Sequence, residues 1–480
     1  MSTVRVRFAP SPTGELHVGG LRTALFNFLF AKHHGGTFVL RIEDTDRTRY
    51  VQNAEQRLID MLEWAGVSPD EGPHKGGPCG PYRQSERLEL YQAAAAQLIE
   101  QGQAYKCYCT PEELDEMRKA QVARGLPPKY DGRHRNLTED DRRAFEAEGR
   151  VPVVRMRLPD RDERIVVDDL VRGKVVFNSA QLDDQVLIKS DGYPTYHLAV
   201  VVDDNAMGIT HVLRAEEWLP SVPKHLYLYR WLGYELPQFV HLPLLLNPDR
   251  SKMSKRMGDV SVESYRDNGY LPEAMFNFLA LLGWNPGNDQ ELFGRDALIE
   301  AFSIERIGKA GAVFDRDKLD WMNQHYIGQL SVDGLYEAVQ PFLAGTPYAG
   351  QDADLMKKIL ATVQPALVRL TDVPAHLGVF FRDDAAPVDS QVEQLLKDTA
   401  AKAVFGAFRD AATAQDEWNR QAFMLVMKQV QKQTGQKGKA LWAPMRAAIT
   451  LENEGPDLGE VVEVFGKTKT IERIQQAIAR

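Results

Sequence analysis

Two short stretches of this sequence carry residues able to handle a polyphosphate. The first is His17-Val18-Gly19-Gly20, an imidazole and two glycines just ahead of an apolar run. If a helix starts there, its unpaired N–H groups and the positive end of its dipole face whatever lies beside His17, and the glycines let a ligand approach the backbone closely. The second is Lys252-Met253-Ser254-Lys255-Arg256, flanked by Ser251 and Gly258. Two ammonium groups and a guanidinium so close together suit a mobile loop that closes over phosphates. Each stretch alone has a plain reading, as turn residues at a helix start and as solvated surface. What is informative is their occurrence together, in this order, with enough chain between them for the second half of a sheet.

The neighbouring residues supply elements to hold them. Val4, Val6 and Phe8 alternate with Arg5 and Arg7 as in a short strand, and Pro10-Ser11-Pro12-Thr13-Gly14 turns the chain. From His17 the spacing becomes helical, with Leu21, Ala24, Leu25, Phe28 and Leu29 on one stripe, until His34, Gly35 and Gly36 break it. Phe38 to Ile42 resume as a strand, which completes one right-handed crossover of a nucleotide-binding sheet. A helix from Asn53 to Ala65 and a Gly/Pro-rich connector over 72–82 follow. Ser85 is placed to cap a helix with the stripe Leu88, Tyr91, Ala95 and Leu98, ended by Gly102. A charged helical piece, Pro111 to Arg124, leads into short alternating strands, Val151 to Leu158 and Ile165 to Phe177, the latter with Arg172 and Gly173 as a hairpin turn. Residues 83–195 therefore read as an α+β insertion. The sheet resumes with a short helix from Tyr196 through Asp204, a strand Ile209 to Arg214, a helix from about Pro220 to Leu232 and a strand around Val240. From about 257 to 330 the chain is mostly helical. Further helices are expected over Asp354 to Leu370, Ser390 to Phe408, Arg420 to Gln433 and Thr470 to Ala479.

Composition sets bounds. The 480 residues exceed what one core usually supports, so three or more domains are expected. No long apolar run and no leader-like segment is visible, and three cysteines argue against a disulfide scaffold and for a reducing compartment. The net charge of −9 does not exclude a nucleic acid, because Arg420 to Thr450 holds six Lys or Arg and no Asp or Glu.

The pair HVGG and KMSKR resembles the HIGH and KMSKS signatures of the class I aminoacyl-tRNA synthetases. Around it RFAPSPTG, RIEDTDR, GPYRQSER, SDGYPTYHLA, HVLRAEEW and VFDRDKLDWMN resemble the bacterial glutamyl-tRNA synthetases, densely to about residue 325 and more loosely beyond. The resemblance implies an α/β fold: a Rossmann-like catalytic domain (1–82 and 196–247), an acceptor-binding α+β insertion (83–195), a stem-contact domain with the KMSKR loop (248–331) and an all-helical anticodon-binding region (332–480, two subdomains meeting near 385). It implies a cytoplasmic monomer, without membrane attachment, that ligates L-glutamate to glutamate tRNA through a glutamyl-adenylate, using ATP with its Mg²⁺.

Carried onto this chain, the family pattern makes His17, Lys252 and Lys255 catalytic, and adds Gly19, Gly20, Ser254 and Arg256 to the ATP site. Glutamate has two carboxylates and one ammonium, so its pocket needs two cations and one anion. Arg7, Arg214 and Glu43 supply these at strand ends, with Ala9, Ser11, Tyr196 and Glu217 matching the remaining pocket positions. Arg369, Lys437, Lys439, Trp442 and Arg446 are the candidates for anticodon contacts. The arginine by which some relatives reject glutamine tRNA falls closest to Ala366, with Arg369 nearby as the other register. Two positions depart from the pattern: Gly20 replaces the second His of HIGH, and Val200 stands where Asn is common. Zinc-bearing relatives pair a CxC with a downstream CxH; here Cys107, Cys109 and His134 remain, with Asn136 a poor fourth ligand, so no resident metal is expected. A glutaminyl-tRNA synthetase is disfavoured by RIEDTD and the helical C-terminus, a glutamyl-queuosine tRNA synthetase by length. An HxGH-type adenylyltransferase would lack the long helical tail, and a catalytically dead paralogue would have lost KMSKR, Arg7 or Arg214.

Overall fold

The computed structural model describes residues 3–49, 51–253, 260–382 and 389–480. The chain divides into two compact units, Met1–Tyr265 with Met275–Asp315, and Arg266–Ala274 with Arg316–Arg480.

In the first unit β1 (Arg5–Phe8) and β2 (Thr37–Leu40) run parallel, paired from Arg5 with Thr37 to Phe8 with Leu40, and α1 (Val18–His33) crosses between them as the sequence predicts. The helix buries more than the expected stripe, since Phe26, Phe30 and Ala31 are also inside. Phe26 meets Phe302 edge-on at 5.3 Å and Phe30 meets His211 at 4.9 Å. A helix apolar around most of its circumference belongs in the interior. Next come α2 (Ala54–Trp64) and α3 (Leu88–Glu100). Ser85 does not cap α3. Its hydroxyl and amide donate to the two carboxylate oxygens of Asp44, at 2.5 and 2.8 Å, and α3 starts after Arg87 without a side-chain cap. A carboxylate distant in sequence has outcompeted the local helix amides.

The insertion contains β3 (Ala104–Cys107), α4 (Pro111–Ala123), α5 (Glu139–Ala147), β4 (Val153–Met156), β5 (Arg164–Asp169), β6 (Gly173–Asn178) and β7 (Val186–Ile188). Thr110 and Glu113 form a capping box at the start of α4. Strands β3, β4 and β7 make a small antiparallel sheet. The predicted hairpin is β5–β6.

The chain then returns through α6 (Tyr196–Ala206), β8 (His211–Ala215), α7 (Val222–Leu232) and β9 (Gln238–Leu242). Strands β8 and β9 are parallel, and the hairpin joins β9 through Asp169 and Phe239, giving the order β6-β5-β9-β8. Beside them the amide of Thr210 donates to the carbonyl of Arg5 at 2.9 Å, so β1 runs along β8.

The second unit is helical. Two predicted helices are shorter than expected. The first stops at Val363, because Pro365 has no N–H to continue the ladder. The second breaks at Asp398, whose side chain accepts from the Ala401 amide and starts a new helix, Thr399–Thr413. The last helix starts earlier than predicted, at Leu458, and is interrupted at Gly466, where φ is +74°. The subdomain boundary near 385 lies outside the described residues. No described helix is long and apolar enough to cross a membrane.

Candidate active site

The C-terminal ends of β1, β2 and β8 and the start of α1 open on one cavity of about 950 Å³. Arg7, Ala9, Ser11, His17, Gly19, Gly20, Glu43, Tyr196, Arg214, Glu217 and Lys252 all line it. Every residue predicted for the glutamate and ATP sites within the described chain is therefore in one place. Ser254, Lys255 and Arg256 lie outside the described residues.

His17 is the N-cap of α1, and its Nδ1 accepts from the Gly19 amide at 2.9 Å. The ring proton is thereby set on Nε2, which makes that nitrogen a donor. The turn is clamped from the far side of the KMSKR stretch: the Val18 amide donates to Val260 and the Val262 amide to Leu16, both at 2.9 Å. Gly20 has a packing reason, since a Cβ there would stand 3.1 Å from Leu16 Cδ1 and 3.6 Å from the Phe8 ring.

Arg7 is buried and gives Nε and Nη2 to Asp204, at 3.0 and 3.2 Å. Asp204 also accepts from Arg41 Nη1 at 2.7 Å, and Arg41 Nη2 holds Glu43 at 3.2 Å. Asp203 gathers Arg87 Nε at 2.7 Å and Gln84 and Tyr91 at 2.8 Å each. Burial pushes the Asp204 carboxyl up, but Arg7 and Arg41 more than offset this and hold it below the ordinary range. For Glu43 burial wins over Arg41 and Arg7, and its carboxyl stays raised. Opposite this network, Arg214 donates to the Tyr196 hydroxyl at 2.5 Å, to the Trp218 carbonyl at 3.3 Å and to His241 Nε2 at 3.1 Å. Lys252 pairs with Glu217, two predicted ligands that here face each other.

Sequence reading missed Arg41, Asp203 and Asp204, which hold Arg7 and Glu43 in place. A signal existed. Arg41 and Glu43 are two residues apart at a strand end and share a face, and a pair of acids closing the apolar run of α6 is unusual unless cations meet it. Arg49, Lys189 and Trp218 also line the cavity without having been foreseen. Val200 is buried in an apolar cluster and is not part of the cavity wall.

In the insertion Cys107, Cys109 and His134 converge, their donor atoms within 4.8 Å of one another. Asn136 is elsewhere, accepting from Arg157. The Tyr130 hydroxyl, absent from the sequence-based ligand count, lies 3.4 Å from Cys107 Sγ and 3.9 Å from Cys109 Sγ. Cys79 sits apart, beside Arg5 at 3.4 Å. The two thiols and the imidazole lie close enough to share an ion, but the neutral phenol beside them is a poor fourth ligand.

In the second unit Arg369 pairs with Asp320, at 2.6 and 3.2 Å, and stacks on Tyr270 at 5.1 Å, so its guanidinium already has partners. Trp442 packs edge-on to Phe423 at 6.2 Å, and Arg446 is half-buried. Lys437 and Lys439 are exposed where the helix Lys439–Thr450 begins.

Residues 3–321 match the family model described as tRNA synthetases class I (E and Q), catalytic domain, and residues 334–478 match an anticodon binding domain. A glutamate–tRNA ligase of Desulforamulus reducens is 44% identical over 481 residues, covering 99% of this chain and 100% of that protein. Glutamate–tRNA ligase 1 of Caldicellulosiruptor saccharolyticus is 46% identical over 477 residues, 98% of each. The crystal structure of a glutamate tRNA ligase from Elizabethkingia meningosepticum in complex with its amino acid matches with a TM-score of 0.90 at 37% identity, covering 100% of this chain and 99% of that one. Fold, site and family model together define a class I aminoacyl-tRNA synthetase of the glutamate and glutamine branch. Within that class, the full-length relatives show that the chain belongs to the glutamate–tRNA ligases.

Proposed function

We propose that the cavity binds L-glutamate and ATP side by side, joins them as glutamyl-adenylate, and passes the glutamyl group to glutamate tRNA. The observation that carries this reading is the convergence, beside the α1 start, of two guanidinium groups and one carboxylate from Arg7, Arg214 and Glu43. That count matches the two carboxylates and one ammonium of glutamate. Ala9, Ser11 and Tyr196 complete the pocket.

In the first step an oxygen of the α-carboxylate attacks the α-phosphorus, the bond to the bridging oxygen of the β-phosphate breaks, and pyrophosphate leaves. No protein nucleophile is needed, so the chain contributes position and positive charge. His17, with its proton on Nε2, donates to a phosphate oxygen, and the start of α1 adds its dipole. Lys252 exchanges Glu217 for phosphate and acts with Ser254, Lys255 and Arg256 on the departing pyrophosphate. With Gly20 in place of a second His, the larger share falls to Lys255. Mg²⁺ would come with the ATP and offset negative charge on its phosphates. In the second step a ribose hydroxyl at the tRNA 3′ end, the 2′-hydroxyl in class I, attacks the glutamyl carbonyl and AMP leaves.

The helical region from 332 onward selects the tRNA, with Lys437 and Lys439 as its most accessible candidates. The protein works as a cytoplasmic monomer. ATP–pyrophosphate exchange with each of the twenty amino acids, with and without tRNA, tests the reading; glutamate is the expected substrate, and a stronger response to any other amino acid overturns it. Charging of purified glutamate and glutamine tRNAs then shows whether Ala366, in place of an arginine, leaves glutamine tRNA acceptable.

A further inference from the structure

Arg214 makes three hydrogen bonds among the described residues, all to neutral groups. A guanidinium has five N–H bonds, so two remain for the cavity that it lines. What sets the plane of the group is its Nε bond to His241. The two residues are register partners on the parallel strands β8 and β9, and His241 is fully buried, so its ring has no water to turn to. The other ring nitrogen, Nδ1, lies 2.6 Å from Asp169 Oδ2. A carboxylate only accepts and an arginine Nε only donates. Nδ1 must therefore carry the proton and Nε2 the lone pair, which fixes one neutral tautomer.

Asp169 is itself held. Its Oδ1 accepts the amides of Val171 and Arg172, at 3.0 and 2.7 Å, and its Oδ2 the amide of His241 at 3.1 Å. Burial pushes this carboxyl up, but the hydrogen bonds from His241 and the two turn amides more than offset it and keep it ionised. Asp169 reaches the site because the hairpin of the insertion pairs with β9.

We propose that His241 and Asp169 are positioning residues for glutamate recognition: Asp169 fixes the imidazole tautomer, and the imidazole aims the remaining N–H bonds of Arg214 at a substrate carboxylate. The inference rests on the reading of Arg214 as a carboxylate ligand. It gives the insertion a part in choosing the amino acid, beyond any contact with tRNA.

The two amide side chains separate this role from simple packing. In His241→Gln the amide oxygen stands near the place of Nε2 and still accepts from Arg214, while the bond to Asp169 is lost. In His241→Asn the amide nitrogen stands near Nδ1 and still donates to Asp169, while Arg214 loses its acceptor. Aminoacylation by the full chain should show the KM for glutamate raised about tenfold or more in His241→Asn, within about threefold of wild type in His241→Gln, and the KM for ATP unchanged in both. Asp169→Asn, which leaves His241 in place but can present a donor to Nδ1 and so turn Nε2 into an N–H, should resemble His241→Asn. Equal effects in the two His241 variants, the reverse order, or an unaltered glutamate KM in Asp169→Asn overturns the proposal. Arg214→Ala is the control for the underlying reading. If it spares the glutamate KM, that reading fails; if it raises the glutamate KM while His241→Asn does not, the positioning role alone fails.

Discussion

Replacing Arg7 and Arg214 in turn by alanine should give the same kinetic lesion and different losses of stability. Both residues line the cavity, and on the proposed function each removal leaves a substrate carboxylate without a charged donor. A charge-assisted hydrogen bond is worth about 1.5–3 kcal/mol, and each 1.4 kcal/mol is a factor of ten. The KM for glutamate should rise roughly 10- to 150-fold in either variant, with the KM for ATP within about twofold. Stability should separate them. Arg7 shares a buried network with Arg41, Asp204 and Glu43, and its loss leaves two buried carboxylates facing one guanidinium. Breaking a buried ion pair from one side costs about 3–5 kcal/mol. Among the described residues the Arg214 side chain hydrogen-bonds the His241 ring, the Tyr196 hydroxyl and the Trp218 carbonyl, so its loss leaves neutral groups unpaired, at about 1–3 kcal/mol. Steady-state aminoacylation with glutamate and ATP varied separately, and urea unfolding of the same preparations, measure both effects. If the KM for ATP climbs in parallel with that for glutamate, or if Arg7→Ala is no less stable than Arg214→Ala, the assignment of one arginine to the network and both to glutamate is wrong.

Lys255→Ala should lower the adenylation rate by two or more orders of magnitude, the scale of losing one group that stabilises a transition state, while tRNA binding stays near normal; near-normal exchange activity would remove Lys255 from the mechanism. Stability should fall on acidification from about pH 6.5 towards pH 4. Burial, reinforced by Lys224 and Arg214, pushes His197 down to about 4, so between that value and the ordinary histidine pKa the unfolded chain takes up a proton that the folded one refuses. The stabilisation is complete above about 6.5 and lost as pH falls to 4, on the order of 3 kcal/mol for this group; His197→Gln should flatten the dependence, and an equally steep one would show that other groups cause it. For metal, two thiols and one imidazole with only a phenol beside them should leave purified protein with well under one zinc per chain, read by elemental analysis. A full equivalent of zinc that disappears in Tyr130→Phe would show that the phenol completes the site.

Much of the catalytic end of this protein is determined locally and so is legible in its sequence. A turn that ends a strand beside a helix start needs particular residues at particular spacings, which is why His17, Gly19 and Gly20, read together with the distant KMSKR stretch, mark one wall of the cavity. The same locality lets alternation mark β1 and the β5–β6 hairpin. Arg7, Glu43 and Arg214 are marked by the family resemblance together with a charge count that suits glutamate, and the cavity gathers all three. Only the tertiary structure decides what holds these groups. Asp204 reaches Arg7 from α6, Asp169 reaches His241 from the insertion, and Asp44 takes Ser85 away from the helix it was placed to cap. Such pairings join residues far apart in the chain, and their choice depends on which buried charge or hydrogen-bonding group comes within about 3 Å of which after the elements have packed, a condition that no local pattern of residues encodes.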